Sequence, residues 1–224
     1  MVITHRKAVA ALLALALTAA PLSACGGQGA NGDDTEPTTA EQTQAASVDV
    51  SSWKTLGDAL ACDNGENNTA GWDENHYITV FNAGDTVVRV VAKMDADTYE
   101  AHGALDMSKD DYNQKFLEVM GGLPLESAED LGDQKLTQDE MDAFVGKTGQ
   151  DLVDDGFVFE SYWMYGGEET GVTFAKGYLA YNATFGVTIS DDKTEDEGAA
   201  VMDKTIVSME YAGASQEATD PSAL

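Results

Sequence analysis

Residues 178–189 read YLAYNATFGVTI, and no other stretch of the chain alternates so cleanly. Leu179, Tyr181, Ala183, Phe185, Val187 and Ile189 fall on one side of an extended backbone, because successive side chains of a strand point to opposite faces. The pattern predicts a β-strand with Leu179 and Phe185 turned into a core. The neighbouring runs are also extended. Upstream lie FVFESYWMY at 157–165, a GGEETG turn and GVTFAK; downstream an acidic loop, SDDKTEDEG, precedes a last strand around TIVSMEYAG. Strands this close in sequence, joined by glycine-bearing turns, pair antiparallel.

Helical segments precede these strands. Thr137 and Glu140 form a capping box in LTQDEMDAFVG, with Met141, Phe144 and Val145 as the apolar face and Gly146 as the stop. Thr148 caps a shorter helix that turns Leu152 and Val153 inward and ends at Gly156. Residues 52–61 read as another short helix, with Trp53, Leu56 and Leu60 on one side. A polar loop (62–75) leads to HYITVFN and DTVVRVVAKM, a hairpin turning around Ala83-Gly84. In its second strand Val87, Arg89 and Val91 alternate with Val88, Val90 and Ala92, which predicts cover on both faces.

Two helices follow the hairpin. Asp95 or Asp97 caps the first, which carries Tyr99, Leu105 and Met107. Ser108 and Asp111 have capping-box spacing at the start of the second, whose apolar face is Tyr112, Phe116, Leu117, Val119 and Met120 and whose end is Gly121-Gly122. Residues 123–135 are an acidic connector with room for a short strand. The expected class is α+β: short helices packed on a mainly antiparallel sheet.

The segment Lys54–Leu60 (KTLGDAL) matches Lys147–Val153 (KTGQDLV) in its K-T-x-x-D helix start, and each copy runs on through a polar loop or turn into consecutive strands. Two tandem helix-then-strands units, 51–135 and 136–213, are therefore expected. This order resembles the architecture of β-lactamase inhibitor proteins and of small outer-membrane assembly lipoproteins, without their paired cysteines or Gly-Met-Thr helix start. The run FVGKTGQDLVDDG at 144–156 resembles a segment of uncharacterised surface lipoproteins of Gram-positive bacteria, a resemblance that implies no activity.

The first 27 residues, MVITHRKAVAALLALALTAAPLSACGG, have the layout of an export signal: Arg6 and Lys7, then an apolar run at 8–20 too short to span a bilayer comfortably. Their end, Leu22-Ser23-Ala24-Cys25, looks like the lipobox of bacterial lipoproteins. The resemblance implies that 1–24 is a signal peptide and that Cys25 receives a thioether-linked diacylglycerol. The protein would then sit on the extracytoplasmic face of the cell membrane. Residues 25–50 lack apolar periodicity and read as a disordered polar linker, 51–213 as the folded domain, and 214–224 as a disordered tail.

The full chain carries 12 Lys+Arg against 40 Asp+Glu. Removing the signal takes Arg6 and Lys7 and no acid, leaving 10 − 40 = −30. A chain this acidic, with Arg89 its single mature arginine, has no basic patch with which to displace counterions from nucleic acid. It repels acidic surfaces and favours cationic partners.

Little catalytic chemistry is written in the residues. Gly146-Lys147-Thr148 lacks the upstream glycine of a phosphate-binding loop, since position 141 is Met. His76 and His102, the two mature histidines, stand apart and read as structural. Cys62 reads as a buried, inert thiol. Asp63, Asp191 and Asp192 lie in acidic loops whose oxygens suit calcium, but their spacing is not that of a calcium loop and solvated loops are the better reading. Tyr162, Trp163 and Tyr165 share one strand and are candidates for a partner contact or for core. No cofactor is indicated. The expected function is a membrane-attached, non-enzymatic module binding a protein or envelope component. The alternative is an extracytoplasmic ligand-binding protein or hydrolase with an unrecognised site.

Overall fold

The computed structural model describes residues 48–65, 68–164, 168–189 and 198–224. Its elements, in chain order, are α1 (Leu56–Leu60), β1 (Thr69–Trp72), β2 (His76–Ala83), β3 (Thr86–Lys93), α2 (Ala96–Gly103), α3 (Tyr112–Met120), β4 (Leu125–Asp130), α4 (Gln138–Asp142), α5 (Gly149–Asp154), β5 (Val158–Met164), β6 (Thr170–Lys176), β7 (Leu179–Phe185) and β8 (Ile206–Ala214). The strands form two four-stranded antiparallel sheets, β1-β2-β3-β4 and β5-β6-β7-β8. The fold is α+β, one sheet from each half of the folded region.

The halves repeat in detail. From Thr55 to Thr148 and from Gly84 to Gly177 the step is 93 residues in both cases. Thr55 and Thr148 each close a capping box, with Asp58 and Asp151 respectively, satisfying N–H groups that a helix start leaves without partners. Gly84 (φ 62°) and Gly177 (φ 60°) each open a two-residue hairpin turn, β2–β3 and β6–β7, that needs a left-handed first residue. Each capped helix start is also seated on the segment entering its sheet's last strand. Leu56 and Gly57 N–H donate to the carbonyls of Leu123 and Gly121, both at 2.9 Å. Gly149 and Gln150 N–H donate to those of Lys204 (3.2 Å) and Met202 (2.9 Å). Before β4 the first half carries α2 and α3; before β8 the second half carries a 3₁₀ turn, Ala199–Val201, among its described residues.

Two apolar clusters hold the layers. Phe81, Val88, Val90 and Ala92 on one face of the first sheet pack with Leu56, Phe116 and Met120 from the helices. Phe174, Leu179, Tyr181 and Phe185 of the second sheet pack with Met141, Phe144 and Leu152 of α4 and α5, and with Val80, Val87 and Leu131 of the first half. Leu179 and Phe185 are fully buried, and β3 is covered on both faces from Val87 to Ala92.

Several boundaries differ from the sequence reading. Val48 and Val50, expected in the linker, pack against the first cluster. Asp111 precedes α3 without capping it by its side chain, and Ser108 bonds Asp106 instead. The tail expected to be disordered is ordered: Glu217–Thr219 and Pro221–Ala223 form 3₁₀ turns, and Ser215, Ala218 and Thr219 are buried. These residues are small enough to lie flat against a sheet, so the missing apolar periodicity was no sign of missing contacts. The tail crosses the face of the first sheet opposite the helices. A Cβ on Gly71 would meet the Thr219 carbonyl at 2.0 Å, so glycine there permits the close approach.

Candidate interaction face

Register fixes what the second sheet shows on its outer face, away from its cluster. One row across the sheet is Val158, Ala175, Ala180, Gly213; the next is Ser161, Thr173, Asn182, Glu210; the third is Gly171, Thr184, Ser208. Each is opposite in the pleat to the buried set Phe159, Phe174, Tyr181 and Phe185. The apolar contacts of α4, α5 and the tail are with the buried set. In a chain with formal charge −28, these three rows contain a single ionisable side chain, Glu210.

Trp163 rims this face. It sits at a register shift between Tyr162 and Met164, and its indole lies where a Cβ on Gly171 would stand. The ring is 46% exposed, and Val158 along the same strand is 65% exposed. Tyr162 points the other way, half-buried, with its ring 5.1 Å from that of Phe159. The sequence grouped Tyr162, Trp163 and Tyr165; the strand puts the first two on opposite faces, and Tyr165 lies outside the described residues. Thr173 Oγ1 donates to Asn182 Oδ1 at 2.9 Å, which fixes the Asn182 amide in the middle of the face.

The other candidates do not gather into a site. Asp63 Oδ1 accepts from Gly65 N–H and Oδ2 from the Asn68 amide, so the carboxylate closes its own turn, and burial raises its pKa. Asp191 and Asp192 lie outside the described residues. No three His, Cys, Asp or Glu side chains among the described residues are placed to hold a metal ion. His76 is flanked by Asp73 (3.5 Å) and Glu126 (3.4 Å), less isolated than its sequence context suggests. His102 is enclosed edge-on by Trp72, Tyr77 and Phe116, and burial lowers its pKa. A shallow cleft beside Leu105 and Tyr112 is lined by Lys109 and Lys115, each paired with a carboxylate, Asp106 and Asp111.

Cys62 corrects an expectation. It is half-buried and disulfide-bonded, not a free thiol. The chain's other cysteine is Cys25, outside the described residues. One sulfur cannot hold both a thioether and a disulfide, so acylation of Cys25 and a Cys25–Cys62 bridge exclude each other.

No described helix is long and apolar enough to cross a membrane. No family model, curated protein or solved structure matches the chain.

Proposed function

We propose that this protein is an extracytoplasmic lipoprotein, attached through Cys25, whose folded domain binds a protein or envelope component on the outer face of its second sheet. The observation that carries the binding reading is the open, nearly uncharged face rimmed by Trp163 on an otherwise strongly acidic molecule. Interface centres are poor in charge and rich in aromatic anchors. The anchor rests on the Leu22-Ser23-Ala24-Cys25 motif and its upstream flanks.

A pull-down from solubilised membranes tests the binding reading. Ser161→Arg, in the middle row, is expected to abolish capture, and Gln150→Arg on the exposed surface of α5 to leave it intact. Equal capture by both variants contradicts the reading. Intact mass of the membrane-extracted protein tests the anchor: the proposal requires a lipid adduct on Cys25, and an unmodified Cys25 bridged to Cys62 contradicts it.

A further inference from the structure

From the internal repeat we infer that the outer face of the second sheet receives an extended polypeptide segment of a partner protein, built from small side chains and free of acidic ones. The inference rests on the binding reading above and names the class of partner. The 93-residue step carries Val80 onto Thr173, Val87 onto Ala180 and Arg89 onto Asn182. The outer face of the second sheet is therefore the counterpart of the first-sheet face that holds Val80, Val87 and Arg89.

That counterpart is occupied. The C-terminal segment lies across it, with Ala218 and Thr219 buried, and Arg89 Nε donates to the main-chain carbonyl of Ala218 at 2.7 Å. One copy of the unit thus seats an extended chain of small residues and reads its backbone with the side chain at position 89. In the other copy the same position is Asn182, an amide. Thr173 holds its oxygen, and its Nδ2 hydrogens have no acceptor among the described residues. The amide is thus free to donate to a main-chain carbonyl.

Side chains in the second copy are short: Gly171, Thr173, Ala180 and Thr184 leave a chain room to approach the sheet, as Gly71 does beneath Thr219. Asn182 replaces a cation, and Glu210 with the flanking Glu168 and Glu169 makes the surroundings acidic. A segment with Asp or Glu is repelled there and one with Lys or Arg at its ends is attracted. The protein's own tail, with Glu217 and Asp220, is poorly matched, so a second copy is not the expected occupant.

The test is panning of a displayed random 12-residue peptide library on the full chain in mild detergent. Enriched peptides should be rich in Ala, Ser and Thr, should contain Lys or Arg and should lack Asp and Glu. Their affinity should fall at least tenfold in Asn182→Asp and in Thr173→Arg, two variants whose melting curves check that the fold survives. No enrichment, or enriched peptides that bind both variants as they bind wild type, overturns the inference. Envelope glycan bound in a Trp163-dependent way, with no peptide enriched, overturns the peptide partner and leaves the binding face standing. Retention of envelope binding by Trp163→Ala, Asn182→Asp and Thr173→Arg alike overturns both.

Discussion

Arg89 Nε lies 2.7 Å from the main-chain oxygen of Ala218, and the same guanidinium stacks 4.4 Å from the centre of the Tyr178 ring. These two contacts join β3 of the first sheet to the last ten residues and to the β6–β7 turn of the second. Arg89 is only 6% exposed. Arg89→Ala leaves a buried carbonyl without its donor and Tyr178 without its cation. The expected loss is about 2–4 kcal/mol, from an orphaned buried acceptor plus a desolvated cation–π contact. Urea denaturation checks it; an unchanged midpoint means the contact holds nothing together.

Deleting 215–224 uncovers Gly71, Val80 and Arg89 together. A loss of stability at least as large as that of Arg89→Ala is expected, with a larger denaturant slope change if the first sheet loosens in the native state. A truncated chain that melts with wild type would return the tail to the disordered status its composition suggested.

Phe185 is fully buried, with its ring 6.5 Å from that of Phe174. Phe185→Ala is expected to cost about 3–5 kcal/mol through lost transfer energy and a residual cavity. A change within about 0.5 kcal/mol, judged against the usual surface substitution, would mean the face is not core.

Much of this was legible beforehand. The alternation of residues 178–189 located β7 and its buried side. The Thr55, Thr137 and Thr148 caps located three helix starts, because a capping box needs only four consecutive residues. The K-T-x-x-D pair marked the repeat. The outer face was not legible, since it is assembled by cross-strand register from four strands. Gly171, Thr173 and Asn182 become neighbours only once β6 and β7 pair. The tail was missed for a related reason: Ser215, Ala218 and Thr219 gain burial from a sheet more than a hundred residues away, and no local period announces it.

Acid should act on His102 first. Burial among Trp72, Tyr77 and Phe116 holds its folded pKa below the ordinary histidine value. Between that value and about 6.5 the unfolded chain binds the proton and the folded chain does not, so stability falls as pH drops through this window. The capping carboxylates Asp58, Glu140 and Asp151 are lowered by hydrogen bonds from backbone and threonine. Their contribution is present above their unfolded values and is lost as pH falls further, below about 4. Melting temperature against pH should show both steps, and His102→Phe should remove only the upper one. A wild-type curve flat from pH 7 to 5 contradicts this assignment.

The central claim is that Trp163 serves a partner and not the fold. The direct measurement takes melting temperature and envelope capture on the same preparations of wild type and Trp163→Ala. The ring is 46% exposed and lies over Gly171 on the open face. The account predicts a melting temperature within a few degrees of wild type and capture reduced at least tenfold. Capture equal to wild type, or capture lost only where the fold is lost, would contradict it.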